Sequence, residues 1–537
     1  MPKPQIMFYH DGRHPLIYQY EPPIHQQEYE SAVDELLGTP VEAIMFGLGD
    51  GRTMLHDTKV GELWGHNVDG WPHLVFHRAH RNATDMIGRG IDPLQIICDR
   101  AHSCGLLVYP TLLVQQGRLD RGQDTRCSDF WWNNDDLTIG AAGELPLADP
   151  TARFMDFRHA AVRNERFTLV KEVIENYNID GFELQLNFGP RYFHPDQTEN
   201  GRELMTAWVH KIHRLLKSTD AERELAIRVP ANVERCYAIG LDVEEWIRLG
   251  IVDVLIGQTH TGGELLDQMA DFASLVDATQ GSDCRVHATI QSYVDSDRLG
   301  DANIQMIRAA ACNYWMQGVE GLYLAEWFGT WPYAASFYEK LRELPHPEVM
   351  APRDKHYAVL TETADHSRNP ESPEPGHDFQ LPVTLIPGDP VNITFVIADN
   401  LQQWQAAGRV HEVLLRIRVI ETTERDRFRF RLNGKDLPAS SLRMINRLYQ
   451  MREPRYRVHG YWYVFRLGTE HWPSKGKNVL EVTLTSQDAA VATEVVLRDV
   501  ELETKYLMGK NFLRDRETDL GESEQLNQRR LPTSKYT

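Results

Sequence analysis

The sequence predicts an α/β chain in which a closed (β/α)8 TIM barrel is followed by an antiparallel β-sandwich domain. Three observations carry this. Eight short apolar runs alternate with helical stretches up to about residue 345, proline and glycine steps then break the pattern, and beyond residue 379 apolar residues recur at every second position. Alternating strand and helix signals give parallel βα units, whereas many short alternating strands between turn residues give a sandwich.

The eight runs cover residues 5–9, 43–47, 106–111, 180–186, 225–229, 252–257, 285–290 and 321–325. Before the fourth run, Val162, Phe167, Val170, Ile174 and Tyr177 fall near i, i+3, i+4 spacing with Arg163, Glu165, Lys171 and Glu175 between them, so one face of a helix packs on the barrel. A barrel of this type takes about 250 residues. The excess is expected in long loops after the second and third strands, on the face where such barrels build their sites. Pro345, Pro347 and Pro352 place a boundary near 346–356, closing a barrel over 1–350. Asn369-Pro370, Ser372-Pro373 and Glu374-Pro375-Gly376 make 351–378 a linker. Residues 379–510 form the sandwich, with runs at 393–397, 413–420, 428–432, 462–467, 479–485 and 493–503 and a tight turn at Asn433-Gly434. Residues 511–537 are a charged, glutamine-rich tail without assigned structure.

The chain has 537 residues, with 57 Lys and Arg against 77 Asp and Glu, a net charge of −20 that repels phosphate backbones and anionic bilayers. Nucleic acid and membrane are therefore excluded as expected partners. Six scattered cysteines without a CxxC pair fit reduced thiols, and the N-terminus shows no signal-peptide apolar core, so a cytoplasmic location is expected.

Candidate chemistry follows from strand parity. In the fourth run Glu183, Gln185 and Asn187 alternate with Phe182, Leu184 and Leu186, which sends the polar set into the barrel mouth. In the eighth, Leu322, Leu324 and Glu326 share a face, which is expected to turn Glu326 inward. Strands 4 and 8 lie opposite each other, so Glu183 and Glu326 are the expected catalytic pair of a glycosidase, one protonating the leaving oxygen and the other attacking or activating water. Asp11 and Asp50, at the ends of strands 1 and 2, are alternative carboxylates. Held across the mouth, such a pair favours the wider spacing of an inverting reaction.

His10, Tyr109, Arg228, Gln258, His260 and Gln291 at the other strand ends, with Gln185 and Asn187, make a crown suited to a polyhydroxylated ligand. Trp64, Trp71, Trp131, Trp132, Trp327 and Trp331 fall in loops on the same face and are expected to offer stacking platforms for sugar rings, at least two of them serving the core instead. His10, Asp11 and His14 lack any metal-binding motif; no metal and no cofactor is assigned.

The segment Tyr177-Asn-Ile-Asp-Gly-Phe-Glu-Leu-Gln-Leu, after the helix carrying Val162-Arg163, resembles the strand-4 signature of bacterial glycosyl-hydrolase-like TIM-barrel proteins. Gly240-Leu-Asp-Val-Glu-Glu-Trp and Gly318-Val-Glu-Gly-Leu-Tyr-Leu resemble the same family. The resemblance covers residues 5–345 and implies a glycoside-hydrolase-like barrel with an accessory C-terminal β-domain and a carbohydrate substrate. Gln185 stands where many relatives carry an aspartate, and an amide neither donates a labile proton nor attacks as a nucleophile. Two other readings follow: a non-catalytic carbohydrate-binding barrel, and a sugar isomerase or lyase with His10 or His260 as base.

Overall fold

The computed structural model describes residues 3–121, 123–143, 145, 150–187, 191–259, 265–294, 299–362, 379–447 and 460–507. His260, most of the linker and the tail, all named above, lie outside them. Eight parallel strands close a barrel: β1 (Ile6–His10), β2 (Ala43–Gly47), β3 (Leu107–Leu113), β4 (Gly181–Gln185), β5 (Glu224–Pro230), β6 (Val254–Gln258), β7 (Arg285–Ile290) and β8 (Gly321–Leu324), with β8 pairing β1. Each lies within two or three residues of its expected run. Apolar runs this short and this rich in Val, Ile and Leu suit strands buried on both faces.

Their outward side chains, among them Phe8, Phe46, Leu184, Ile227 and Leu322, merge with the helices into one large core. Helix α1 (Ala160–Asn176) feeds β4 and buries Val162, Val170 and Ile174, as its spacing predicts, while Phe167 stays half-buried under the Lys211 ammonium. The inward side chains Met7, Tyr9, Met45, Tyr109, Ile256 and Tyr323 form a separate cluster inside the barrel. Two glycines make room for it. A Cβ on Gly181 would lie 2.1 Å from the Tyr109 ring, and one on Gly321 would lie 2.4 Å from the His287 ring.

Helix α2 (Ile304–Met316), which feeds β8, is the seam to the second half of the chain, and its Ala309 belongs to that half's apolar core. There, among the described residues, ten strands run from β9 (Lys355–Ala358) through β10 (Val383–Thr384), β11 (Pro390–Ile397), β12 (Val410–Ile420), β13 (Arg427–Leu432), β14 (Lys435–Asp436), β15 (Leu442–Asn446), β16 (Tyr461–Arg466) and β17 (Gly476–Ser486) to β18 (Val496–Tyr506). They make an antiparallel six-stranded sheet, β9-β18-β12-β16-β15 with β10 also on β18, and a four-stranded one, β11-β17-β13-β14. The two sheets enclose one apolar core as a β-sandwich.

β9 falls within the stretch read from sequence as linker. It is short, and its Lys355 and His356 disguise it; both are buried, Lys355 donating to Asp399 at 2.8 Å and His356 paired with Glu501 at 2.9 Å. Across the seam, the Gln268 amide donates to the carbonyls of Met306 and His356, and the Asn313 amide to those of Gln268 and Val396.

Candidate active site at the barrel mouth

The polar side chains inside the barrel are stacked in tiers. At the base, the Tyr109 hydroxyl donates to Glu224 at 2.8 Å and Arg285 donates to the same carboxylate oxygen at 2.6 Å. Tyr109 was expected at the mouth; instead, being the third residue of β3, it sits beside Gly181, the first residue of β4, at the N-terminal end.

Above that lies Glu183. Its carboxylate is fully buried and accepts from Arg228 Nε at 2.8 Å and from the Tyr323 hydroxyl at 2.9 and 3.1 Å. The Arg228 guanidinium lies over the rings of Tyr9 and Tyr323, 4.5 and 4.4 Å from their centroids, and also donates to the Tyr323 hydroxyl. Burial pushes the phenol of Tyr323 well above its usual range, so it stays a donor. Glu183 and Arg228 thus face inward as parity required, yet each is committed to the other.

The tier nearest the mouth holds the amides. Gln185 donates to Thr111 Oγ1 at 2.8 Å and Asn187 donates to Gln258 Oε1 at 2.8 Å; Gln291, one residue past β7, is buried on the same inward parity as His287.

Among the described residues, the loops after β1, β2 and β8 contribute carboxylates to the rim. Asp11, one residue past β1, is 1% exposed and accepts from Arg13 Nε at 3.0 Å, from the backbone N–H groups of Arg13 and His14 at 2.8 and 3.0 Å, and from His14 Nδ1. Burial alone would raise its carboxyl, but Arg13 and His14 outweigh burial and hold it well below the usual carboxylate range. The His14 ring lies flat on Phe328, with centroids 5.1 Å apart at 11°, and edge-on to Tyr18 at 5.3 Å. Its side chain is 53% exposed.

His10 turns the other way. It shares the outward parity of Ile6 and Phe8, stacks on Phe46 at 5.3 Å, and accepts from the Gly12 N–H at 3.0 Å; burial lowers its imidazole to about 4. Asp50 is fully buried and 2.7 Å from Arg52, which also holds Asp124 at 2.6 Å.

Glu326 reaches the rim by a route that parity did not predict. Leu322 and Leu324 face the helix layer, while Tyr323 and Ala325 face the interior. Two residues past β8, Glu326 adopts a left-handed backbone conformation (φ 58°, ψ 35°) that breaks the alternation, and its side chain is half-buried. Non-glycine residues held in that region carry strain and concentrate at functional sites.

Of the six tryptophans, Trp64, Trp131 and Trp327 are fully buried core residues, the last donating to the Ile290 carbonyl at 2.9 Å. Trp71, Trp132 and Trp331 are half-buried: Trp71 packs on His77 and His80, Trp132 lies under Arg118 and Arg121, and the Trp331 indole donates to Glu35 at 2.9 Å. Alternation along the eighth run misses Tyr323 by placing Leu322 and Leu324 inward, and the sequence groups His14 with Asp11 only as a metal set, although His at i+3 from Asp is the signal for the pairing.

Among the described residues, the group with metal-ligand spacing is Glu62, His66 and Asp129, on the loops after β2 and β3, where His66 Nε2 lies 2.7 Å from Glu62 and 3.4 Å from Asp129. No helix among the described residues is long and apolar enough to cross a membrane.

No protein-family model and no curated protein matches the chain. Solved structures similar to it include a Paenibacillus cycloisomaltooligosaccharide glucanotransferase (12% identity, TM-score 0.32, covering 92% of this chain and 57% of that one) and a Rhizomucor miehei endo-1,4-beta-mannanase (12%, 0.38, 61% and 91%). A third is the PgaB glycoside hydrolase domain of Bordetella bronchiseptica (13%, 0.38, 64% and 99%). The chain spans little more than half the length of the glucanotransferase. The barrel is established by its own strand pairing, and at these values the likenesses carry no argument about chemistry.

Proposed function

We propose that the barrel mouth binds a carbohydrate and that the chain hydrolyses a glycosidic bond there, with Glu326 as the acid that protonates the leaving oxygen. The observation that carries this reading is the rim: a half-buried glutamate in a strained backbone conformation, beside the loop that holds Asp11 and His14, above a tier of amides. Amides of this kind pair with sugar hydroxyls as both donors and acceptors. Glu183 does not act as an acid or nucleophile in this scheme. Its oxygens serve Arg228 and Tyr323, and it supports the floor beneath the ligand.

A panel of aryl glycosides and polysaccharides tests the proposal. Wild-type protein is expected to release reducing ends from at least one member, and Glu326→Gln to lose that turnover while keeping affinity for the glycan. Full activity of Glu326→Gln overturns the assignment.

The second reading, a binding barrel without turnover, is favoured by the same buried Glu183–Arg228 pair and by the amide of Gln185 in place of a carboxylate. Glycan binding by wild type, with no turnover on any member of the panel, decides for it.

A further inference from the structure

Among its described residues the barrel mouth presents its other named carboxylates already committed, Asp50 and Glu183 to arginines and Asp11 beneath its donors. What it presents instead is an imidazole. We infer that His14, oriented by Asp11, is the general base of the proposed hydrolysis, a role that rests on the reading above.

The geometry has three parts. Asp11 accepts from His14 Nδ1, which fixes the proton on that nitrogen and leaves the Nε2 lone pair for a substrate or water; a buried carboxylate that selects the tautomer and orientation of a histidine is how acid–base dyads are built. Arg13 Nε and two backbone N–H groups also hold Asp11, so the carboxylate is positioned without His14 and stays charged when the imidazole is neutral. Phe328, two residues past Glu326, lies flat against the ring and ties the loop after β1 to the loop carrying the proposed acid. Nε2 takes no hydrogen bond among the described residues, and the side chain is 53% exposed. An ion pair whose only task was to neutralise Asp11 is already supplied by Arg13.

A water oxygen bonds to the anomeric carbon while the glycosidic C–O bond breaks, the water proton passes to His14 Nε2, and the carboxyl proton of Glu326 passes to the leaving oxygen. Solvent then returns the imidazolium and the carboxylate to their starting states. Attack on the face opposite the leaving group inverts the anomeric centre.

Two measurements on the full chain test the inference. In 15N-edited NMR, His14 is expected to carry its proton on Nδ1, and Asp11→Asn to disturb that tautomer while Asp11→Glu preserves it; a His14 ring protonated on Nε2 in the neutral wild type overturns the dyad. On whichever aryl glycoside of the panel wild type cleaves, His14→Ala is expected to lower kcat about 10²- to 10⁴-fold, with glycan affinity kept and turnover partly restored by added imidazole. Asp11→Asn is expected to shift the pH profile of kcat. An active wild type beside a His14→Ala variant within threefold of it overturns this inference alone, whereas a wild type inert across the panel overturns the hydrolytic reading together with it.

Discussion

Glu183, on β4, and Asp11, one residue past β1, are both buried carboxylates, and each is paired with an arginine. They differ in what else is attached. Around Glu183, Arg228, Tyr323 and Tyr9 are themselves buried, so charge and hydrogen bonds close on one another inside the barrel. Around Asp11, one partner is half exposed, and the carboxylate is connected through His14 to the surface. The lesson is that inward parity finds buried charge, whereas chemistry requires that some member of the network reach the outside.

The sharpest way to break the comparison is to remove the cation from the interior pair. Arg228→Met leaves Glu183 buried and unpaired and is expected to destabilise the fold by about 3–5 kcal/mol. Adding Glu183→Gln should recover much of that, because the neutral amide no longer needs a counter-charge. Urea unfolding of the two variants and the double mutant measures the difference, and a double mutant no more stable than Arg228→Met alone would falsify the closed-pair description.

The tryptophans extend the same contrast to the loops. Trp131→Ala empties a fully buried site and is expected to cost about 3–5 kcal/mol. Trp132→Ala, at a half-buried ring under Arg118 and Arg121, should cost about 1 kcal/mol. Equal shifts in melting temperature for the pair would show that Trp132 is core as well.

The same contrast between closed and open networks is read in acid. Burial lowers His10 to about 4 and His287 to about 3, so both remain neutral in the fold at pH values where the unfolded chain, with histidines near about 6.5, is already protonated. Their contribution is therefore complete above the unfolded value and is lost as pH falls from there toward the folded values, at up to about 1.4 kcal/mol per pH unit for each group. Asp11 and Asp50, held below the usual carboxylate range, add a second loss that begins only as pH drops through that range. Stability measured against pH should bend first near 6.5, and His287→Gln should soften that bend while leaving the lower, carboxylate portion in place. An unchanged curve would place the His287 ring in solvent.

The barrel was legible because its strands are buried on both faces and read as unbroken apolar runs, and Glu183, Gln185, Asn187 and Arg228 were placed inward by simple alternation. Alternation failed where the backbone leaves regular strand geometry. On the eighth strand it assigned Leu322 and Leu324 to the interior that Tyr323 occupies, because Glu326 was assumed to continue a pleat from which its left-handed conformation departs. His10 was misplaced for a related reason: it lies on the outward parity of β1, and the chain reaches the rim one residue later, at Asp11. Tyr109 had the correct face and the wrong height, since parity gives direction and says nothing of depth along the barrel axis.

The seam amides bear on how the molecule comes apart. Gln268 and Asn313 each bridge two carbonyls, one on the barrel side and one on a strand of the sandwich, and both side chains are almost wholly buried. Separating the halves would strand these donors and the carbonyls they serve away from compensating partners, in addition to exposing the apolar contact at Ala309. The two halves are thus thermodynamically coupled, and heat should melt the chain in one calorimetric transition, with neither half persisting as a folded fragment when the other is lost.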